Sequence, residues 1–311
     1  MPVRNEEVMR TELGGGTAAP EVSIIIVNWK SSDYVKKCLQ SIYRFTQGLE
    51  FEVIVVDSAS YDGCGEMLAR EFPGARFIQS KENLGFSRAN NLGFQASSAG
   101  TLLFINPDTE LSNAAINILF DHLRRTTGAG AVGAKLLNAD GTVQTSCIQA
   151  SPTILNQAFD SDVFRRMFPK AGFWGTSALL SDADCTEVEM LSGACIMMKR
   201  SVFEQINMFS TNYFMYCEDA HLCYDIIRAG HKIYYVPSAK IVHYGGGSSQ
   251  HSRSQFSNVM MRESIWRFFL RTKGNLYGLG YRGAMMFSAM FRLALVGLTF
   301  PFRLLRGESE R

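Results

Sequence analysis

Three short apolar runs, each cut off by polar residues, constrain this chain more than any other feature. They are Val22-Ser-Ile-Ile-Ile-Val27, Phe51-Glu-Val-Ile-Val-Val56 and Leu102-Leu-Phe-Ile105, stopped by Asn28, Asp57 and Asn106-Pro-Asp108. Runs so short, rich in β-branched residues, read as strands buried on both faces, as in a parallel sheet. Proline has no N–H for a ladder and forces its predecessor into extended geometry, so the third run ends at Asn106. Helical patterns lie between the runs. Val35, Leu39, Ile42 and Phe45 share one face, with Ser31, Ser32 or Asp33 as caps; Asp62 can cap a helix through Met67 and Leu68 to Phe72. Arg76–Gln79 is a further short strand, Asn83–Asn91 is a loop entering a helix, and Ala114–Leu123 is a helix after the third run. This alternation predicts βαβ crossovers and an α/β fold, with a mostly parallel central sheet flanked by helices.

Ligands of open α/β sheets bind beyond the carboxyl ends of the strands. Here that edge collects Asn28, Asp57, Asn106 and Asp108. Oxygen donors at the spacing of Asn106 and Asp108 suit a hard cation, Mg²⁺ or Mn²⁺, that also holds phosphates. The same residues equally suit a strand-to-turn junction, with Asp108 or Ser112 capping a helix near Asn113. No G-x-G-x-x-G follows a strand and no G-x-x-x-x-G-K-[ST] occurs, which excludes the usual dinucleotide fold and the P-loop.

Composition removes other classes. Thirty-one basic residues against 29 acidic ones give no global sign of nucleic-acid binding. The seven cysteines are odd in number and form no C-x-x-C pair, which argues for a reducing compartment and against disulfides or zinc. Residues 1–20 are polar and end in Gly14-Gly-Gly-Thr-Ala-Ala-Pro20, so a frayed tail is expected rather than a signal peptide, and a cytosolic protein with it.

The second half is irregular at first. Ala139–Thr142 is a hairpin turn, and the stretch 151–186 mixes turn formers with Phe159, Phe164, Phe168, Phe173 and Trp174. Glu187–Met198 reads as a strand interrupted at Gly193, where a ligand or backbone can approach closely. Phe203–Phe209 is a short helix. The aromatic run Tyr213–Tyr216 then leads into Glu218-Asp219 at the start of a helix closed by Gly230. Carboxylates there complement the helix dipole; behind an aromatic wall they also desolvate toward general-base range. Lys232–Val236 and Ala239–His243 are strand-like, followed by a glycine loop, 244–248.

From His251 to Arg306 there are nine Arg or Lys and one acidic residue, Glu263. A basic helix over Arg262–Lys273 places Ile265, Phe268 and Phe269 on one side. The apolar segments 284–291 and 293–302 are split by Arg292 and broken by Pro301, short of the ~18 residues of a membrane span. A basic amphipathic segment resting on an anionic leaflet fits, and so does a helix docked on the catalytic domain.

Taken together, these pieces resemble the inverting family 2 glycosyltransferases of the GT-A fold, particularly rhamnosyltransferase-like members. The matching segments are 23–29, 56–63, 83–90, Asn106-Pro-Asp108-Thr109, Ser192-Gly193-Ala194, Glu218-Asp219 and 237–243, in the family's order. The resemblance implies a catalytic domain over 21–250, with a nucleotide-binding half (21–125) and an acceptor half (126–250), then a helical extension over 251–311. It implies that Val27, Asn28 and Asp57 hold the base and ribose, while Asn83, Arg88 and Asn90 line the pyrophosphate side with Asn106. Asp108 resembles the second aspartate of the family's metal motif, Asn106 standing where most members keep the first, and His243 a histidine that completes the metal site. Asp219 resembles the catalytic base, beside Glu218, and Gly193 and Trp29 border the acceptor or sugar pocket. Two positions depart from the pattern: His221 replaces an acidic residue and Asp225 a basic one. The implied activity is metal-dependent, inverting transfer of a sugar from a nucleotide donor, with dTDP-rhamnose preferred. The implied acceptor is a hydroxyl of a lipid-linked or surface glycan, at the cytosolic face of the inner membrane. A nucleotidyltransferase or a non-catalytic sugar-nucleotide or glycan-binding subunit is the alternative, the second disfavoured by Asp108, Glu218 and Asp219.

Overall fold

The computed structural model describes residues 19–159, 167, 171–180, 183–245 and 255–305. The expected tail (1–18), Phe164, Phe168 and the glycine loop beyond Gly245 lie outside the described residues.

The three apolar runs form β1 (Val22–Asn28), β2 (Phe51–Ser58) and β4 (Thr101–Ile105). With β3 (Arg76–Ser80) they pair in parallel in the order β3-β2-β1-β4, Asn28 opposite Asp57 and Ile25 opposite Phe104. The crossovers are α1 (Ser32–Phe45), α2 (Cys64–Glu71) and α3 (Gly85–Gln95). Helix α1 buries Val35, Leu39 and Ile42 as its periodicity predicts. Gly93 lets α3 lie close against β1, since a Cβ there would come within 2.5 Å of the Ile25 side chain.

Long-range pairing supplies what the local pattern lacks. β5 (Thr109–Leu111) follows the Asn106-Pro-Asp108 turn, then α4 (Ala115–Arg125) and β6 (Ala129–Leu137). Neither Asp108 nor Ser112 caps α4, whose N-cap position is Ala114 with no side-chain bond; β5 intervenes and pairs instead with a distant strand. Short strands β7 (Ile148–Gln149), β8 (Thr186–Glu187) and β9 (Met190–Leu191) and helix α5 (Ile154–Ala158) fill the irregular stretch. β10 (Cys195–Lys199) then inserts antiparallel between β4 and β6, and β11 (Lys232–His243) completes the sheet beside β6, with β5 and β8 on its outer edge. The two segments expected at 232–236 and 239–243 are one strand with a register shift after Val236. The helix expected over Phe203–Phe209 is α6 (Arg200–Gln205), because Asn207 and Met208 are left-handed and end it early.

The acidic pair opens α7 (Glu218–Arg228). Last come α8 (Gln255–Thr272) and α9 (Asn275–Leu305). Ile265, Phe268 and Phe269 of α8 and Tyr281 of α9 are buried and continuous with the main core. Burying Phe268 and Phe269 contributes roughly 1.5–3 kcal/mol each, so α8 is docked on the protein.

Candidate active site

The floor of the site is the carboxyl edge of β1 and β2. The Asn28 amide is fully buried, donating to Asp62 Oδ1 at 3.0 Å and lying 3.4 Å from Asp57 Oδ2. Its Oδ1 accepts the Ser31 N–H (3.1 Å) and hydroxyl (2.9 Å). Asp62 Oδ2 accepts the Ser32 N–H at 3.0 Å. Helix α1 is therefore capped by Asn28 at the end of β1 and Asp62 in the loop after β2, not by the side chains of Ser31, Ser32 or Asp33. Asp57 takes the Ser60 N–H at 2.6 Å, which folds the loop after β2. Val27 and Trp29, on either side of Asn28, keep part of their surface open.

The wall beyond β2 is the turn before α3. Asn83 Oδ1 accepts the Ser58 hydroxyl (3.1 Å) and the Gly85 N–H (3.0 Å). The Asn90 side chain is buried and donates to the Phe86 carbonyl at 3.0 Å, and Arg88 stands exposed in an ion pair with Glu82. Asn91, which sequence reasoning passed over, exchanges two hydrogen bonds with the Phe209 backbone.

At the centre, the Asn106 N–H donates to the Ala194 carbonyl at 3.0 Å, so the start of β10 brings Gly193 beside the end of β4. The Gly193 N–H donates to Asp219 Oδ2 at 3.0 Å, and Asp219 Oδ1 takes the Ala220 N–H at 2.8 Å. A Cβ on Gly193 would lie 3.4 Å from that of Asp219, so the interruption in the strand is where the carboxylate approaches. Burial pushes both carboxyls of the pair up. Glu218 is raised further by the Asp219 charge and its Oε2 has no hydrogen-bond partner among the described residues, whereas backbone N–H groups, those of Gly193 and Ala220 among them, partly offset the effect at Asp219. Asp219 keeps a partly open surface; Glu218 is buried.

On the other side of Asn106, buried Asp108 meets His243, placed by β11 opposite Thr109. Asp108 Oδ1 lies 3.4 Å from His243 Nε2. Gln144, also unforeseen from sequence, sets the ring. Its Nε2 donates to the His243 carbonyl (2.6 Å), which leaves Oε1 to face Nδ1 at 2.9 Å. An amide oxygen only accepts, so Nδ1 carries a proton; in the neutral ring the Nε2 lone pair then faces the carboxylate. Carboxylate and lone pair repel unless a proton or a cation lies between them. Two protein donors, with Asn106 two residues before Asp108 in the same turn, suit Mg²⁺ or Mn²⁺, which customarily take one or two carboxylates and complete their shell with phosphate and water. Among the described residues no group of three or more His, Cys, Asp and Glu converges on a metal position.

The two departures from the family pattern compensate each other. His221 Nε2 is 3.4 Å from Asp225, and its Nδ1 meets the Tyr213 hydroxyl at 2.8 Å. They form a local pair that ties the aromatic run to α7.

Residues 23–206 match the glycosyl transferase family 2 model, a span that stops short of the acidic pair. An N-acetylglucosaminyl-diphospho-decaprenol L-rhamnosyltransferase of Mycobacterium tuberculosis is 28% identical over 265 residues, covering 78% of this chain and 85% of that one. Rhamnosyltransferase WbbL of Escherichia coli K12 is 23% identical, covering 81% and 94%. Among solved structures, a mannosyltransferase of Pyrobaculum calidifontis in complex with GDP-Man and Mn²⁺ superposes with a TM-score of 0.50 at 16% identity, covering 93% and 81%. GalNAc-T7 with UDP, GalNAc and Mn²⁺ reaches 0.59 at 12% identity, covering 82% of this chain and 48% of that one. These structural likenesses carry the GT-A fold. The chain belongs to glycosyl transferase family 2.

Proposed function

We propose that this glycosyltransferase moves rhamnose from dTDP-rhamnose to a hydroxyl of a lipid-linked glycan by a single, inverting displacement. The observation that supports it most is Asp219: a partly exposed residue whose carboxyl pKa is raised by burial, oriented by the Gly193 N–H beside the end of β4. One positioned base suffices for direct displacement, in contrast to the paired carboxylates of glycoside hydrolysis. Asp219 takes the proton of the acceptor hydroxyl as its oxygen bonds to the anomeric carbon, and the bond from that carbon to the diphosphate breaks on the opposite face. Asn28 and Asp57 shape the nucleoside pocket, with Val27 and Trp29 at its rim; Asn83 and Asn90 hold the turn on the pyrophosphate side, with Arg88 exposed next to it. Asp108 and His243, with Asn106, would hold a divalent cation, which supplies charge stabilisation for the diphosphate leaving group.

The kinship to rhamnosyltransferases, one of which is named for a diphospho-decaprenol substrate, supports this donor and acceptor. A lipid-linked acceptor implies peripheral contact with the cytosolic face of the membrane, and the apolar face of α9 supports such contact. The test is stereochemical: with dTDP-rhamnose and an N-acetylglucosaminyl-diphospho-lipid, NMR should show rhamnose of inverted anomeric configuration in the product. Retention would sink the single displacement, and turnover confined to another sugar nucleotide would replace the donor.

A further inference from the structure

The loop that leads into the acidic pair is strained and clamped. Tyr216 (φ 69°) and Cys217 (φ 63°) are adjacent non-glycine residues in the left-handed region. L-residues avoid that region, and such geometry persists only where the surroundings over-determine it. Just upstream, two consecutive carbonyls are fixed by two different parts of the molecule. The Phe214 carbonyl accepts the Phe86 N–H at 3.2 Å, from the turn on the donor side. The Met215 carbonyl accepts the Ser264 hydroxyl at 2.9 Å, from α8. Arg267 and Arg271 of α8 reach the carbonyl and side-chain oxygens of Asn212 at 3.3 and 3.1 Å.

Helix α8 also lines α7 itself. Phe268 stands edge-on to His221 and Tyr224, and the Tyr224 hydroxyl donates to the Thr272 carbonyl at 3.2 Å. Ile265, Phe268 and Phe269 already bury enough apolar surface to dock the helix. The polar ties add something apolar docking does not: direction. From α8 they reach the Met215 and Asn212 carbonyls and the Asn212 side chain, four to seven residues before Asp219.

We propose that α8 is a positioning element for sugar transfer, in which Ser264, assisted by Arg267 and Arg271, locks the 212–217 loop and so presents the Asp219 carboxylate at Gly193. This rests on the reading of Asp219 as the base. It assigns a role in the reaction to a helix that lies beyond the family-matched span of 23–206.

Three variants test it: Ser264→Ala, Ser264→Thr and Asn212→Ala. Transfer from dTDP-rhamnose to the N-acetylglucosaminyl-diphospho-lipid is followed together with amide hydrogen exchange. Loss of one buried hydrogen bond corresponds to roughly a 5–10-fold effect. Ser264→Ala should lower kcat by about that factor with the donor KM unchanged, and exchange should quicken by a similar factor in 212–219 only. Ser264→Thr, which keeps a hydroxyl, should restore most of the rate. Asn212 is exposed, so Asn212→Ala folds even where Ser264→Ala does not, and it should show the same pattern more weakly. Wild-type kcat and wild-type exchange at 212–219 in the folded variants would overturn the proposal. So would a loss of protection spread evenly over β1, β2 and β4, which marks a general structural role. Asp219→Asn assayed in parallel separates the two readings: normal turnover there removes the base from Asp219, while the local exchange still decides for or against α8.

Discussion

Glu218 and Asp219 are adjacent, yet their surroundings differ. Asp219 accepts the Gly193 and Ala220 N–H groups and is partly exposed; Glu218 is buried, with an oxygen that has no hydrogen-bond partner among the described residues. Asp219→Asn keeps the shape and removes the basicity, so turnover should fall ~10²–10⁴-fold with nearly unchanged dTDP-rhamnose affinity, as separate kinetic and calorimetric titrations would show. Glu218→Gln should act on stability instead. Burial raises the Glu218 pKa, so the folded protein binds that proton more tightly than the unfolded chain does. Stability therefore falls as pH rises from the ordinary carboxylate range through the raised value. Removing the charge should flatten that part of the curve and raise Tm at neutral pH by at least roughly 2 °C; a lower Tm at pH 7 would show that the carboxylate is needed for the fold. The acidic pair itself was legible in the sequence. The difference between its members was not, because it depends on Gly193, 26 positions away along the chain. Gln144 was hidden for the same reason: it meets His243 across 99 positions. Gln144→Leu frees the imidazole tautomer and should weaken Mn²⁺-dependent nucleotide binding ~10–100-fold, leaving metal-free binding alone.

At the scale of elements, the sequence revealed what is local. The strands β1, β2 and β4 and the burial of α1 follow from apolar spacing, and each strand end carries the expected polar residue. What was not legible depends on partners far along the chain. Short β5 exists because β11 pairs with it, and α1 takes its cap from Asp62, on the far side of β2. The meeting of α3 with the 212–217 loop is of this second kind. Gly85 has φ +67°, and a Cβ there would press on the Phe214 carbonyl and ring. Gly85→Ala therefore faces both backbone strain and a backbone clash, a combined cost on the order of 2 kcal/mol or more. The expected outcome is a protein of lower Tm whose turnover falls further than its Tm alone explains, because the turn and the 212–217 loop separate. Equal Tm and equal kcat would show that the two loops are not coupled.

For the whole molecule, the helical extension turns two unlike faces to its surroundings. The inner face, with Phe269 and Tyr281, joins the core. The outer face of α9 leaves Leu276, Leu279, Met286, Phe287, Met290, Phe291 and Leu293 exposed, Leu276 at 86% and Phe287 at 73%. These positions fall on one side of an ideal helix, opposite Tyr277 and Tyr281. Arg267, Arg271, Lys273 and Arg282 are exposed close by, and Glu263 is engaged by Arg267 and Arg282. No helix among the described residues is long and apolar enough to cross a membrane. An apolar stripe with cationic flanks is suited to lie in the headgroup region of an anionic bilayer, where the proposed lipid-linked acceptor would be found. Phe287→Asp with Phe291→Asp tests this without touching the docked face. Withdrawing two phenylalanines from lipid removes roughly 1.5–3 kcal/mol each, so binding to phosphatidylglycerol vesicles should fall at least ~10²-fold, while Tm and dTDP-rhamnose binding stay as in the wild type. Raising salt should weaken the wild type on the same vesicles, since the flanking cations contribute through a screened field. If the double variant binds vesicles as before but changes its mass in solution by light scattering, the stripe is a contact between copies of the chain, and the acceptor must be delivered in some other way.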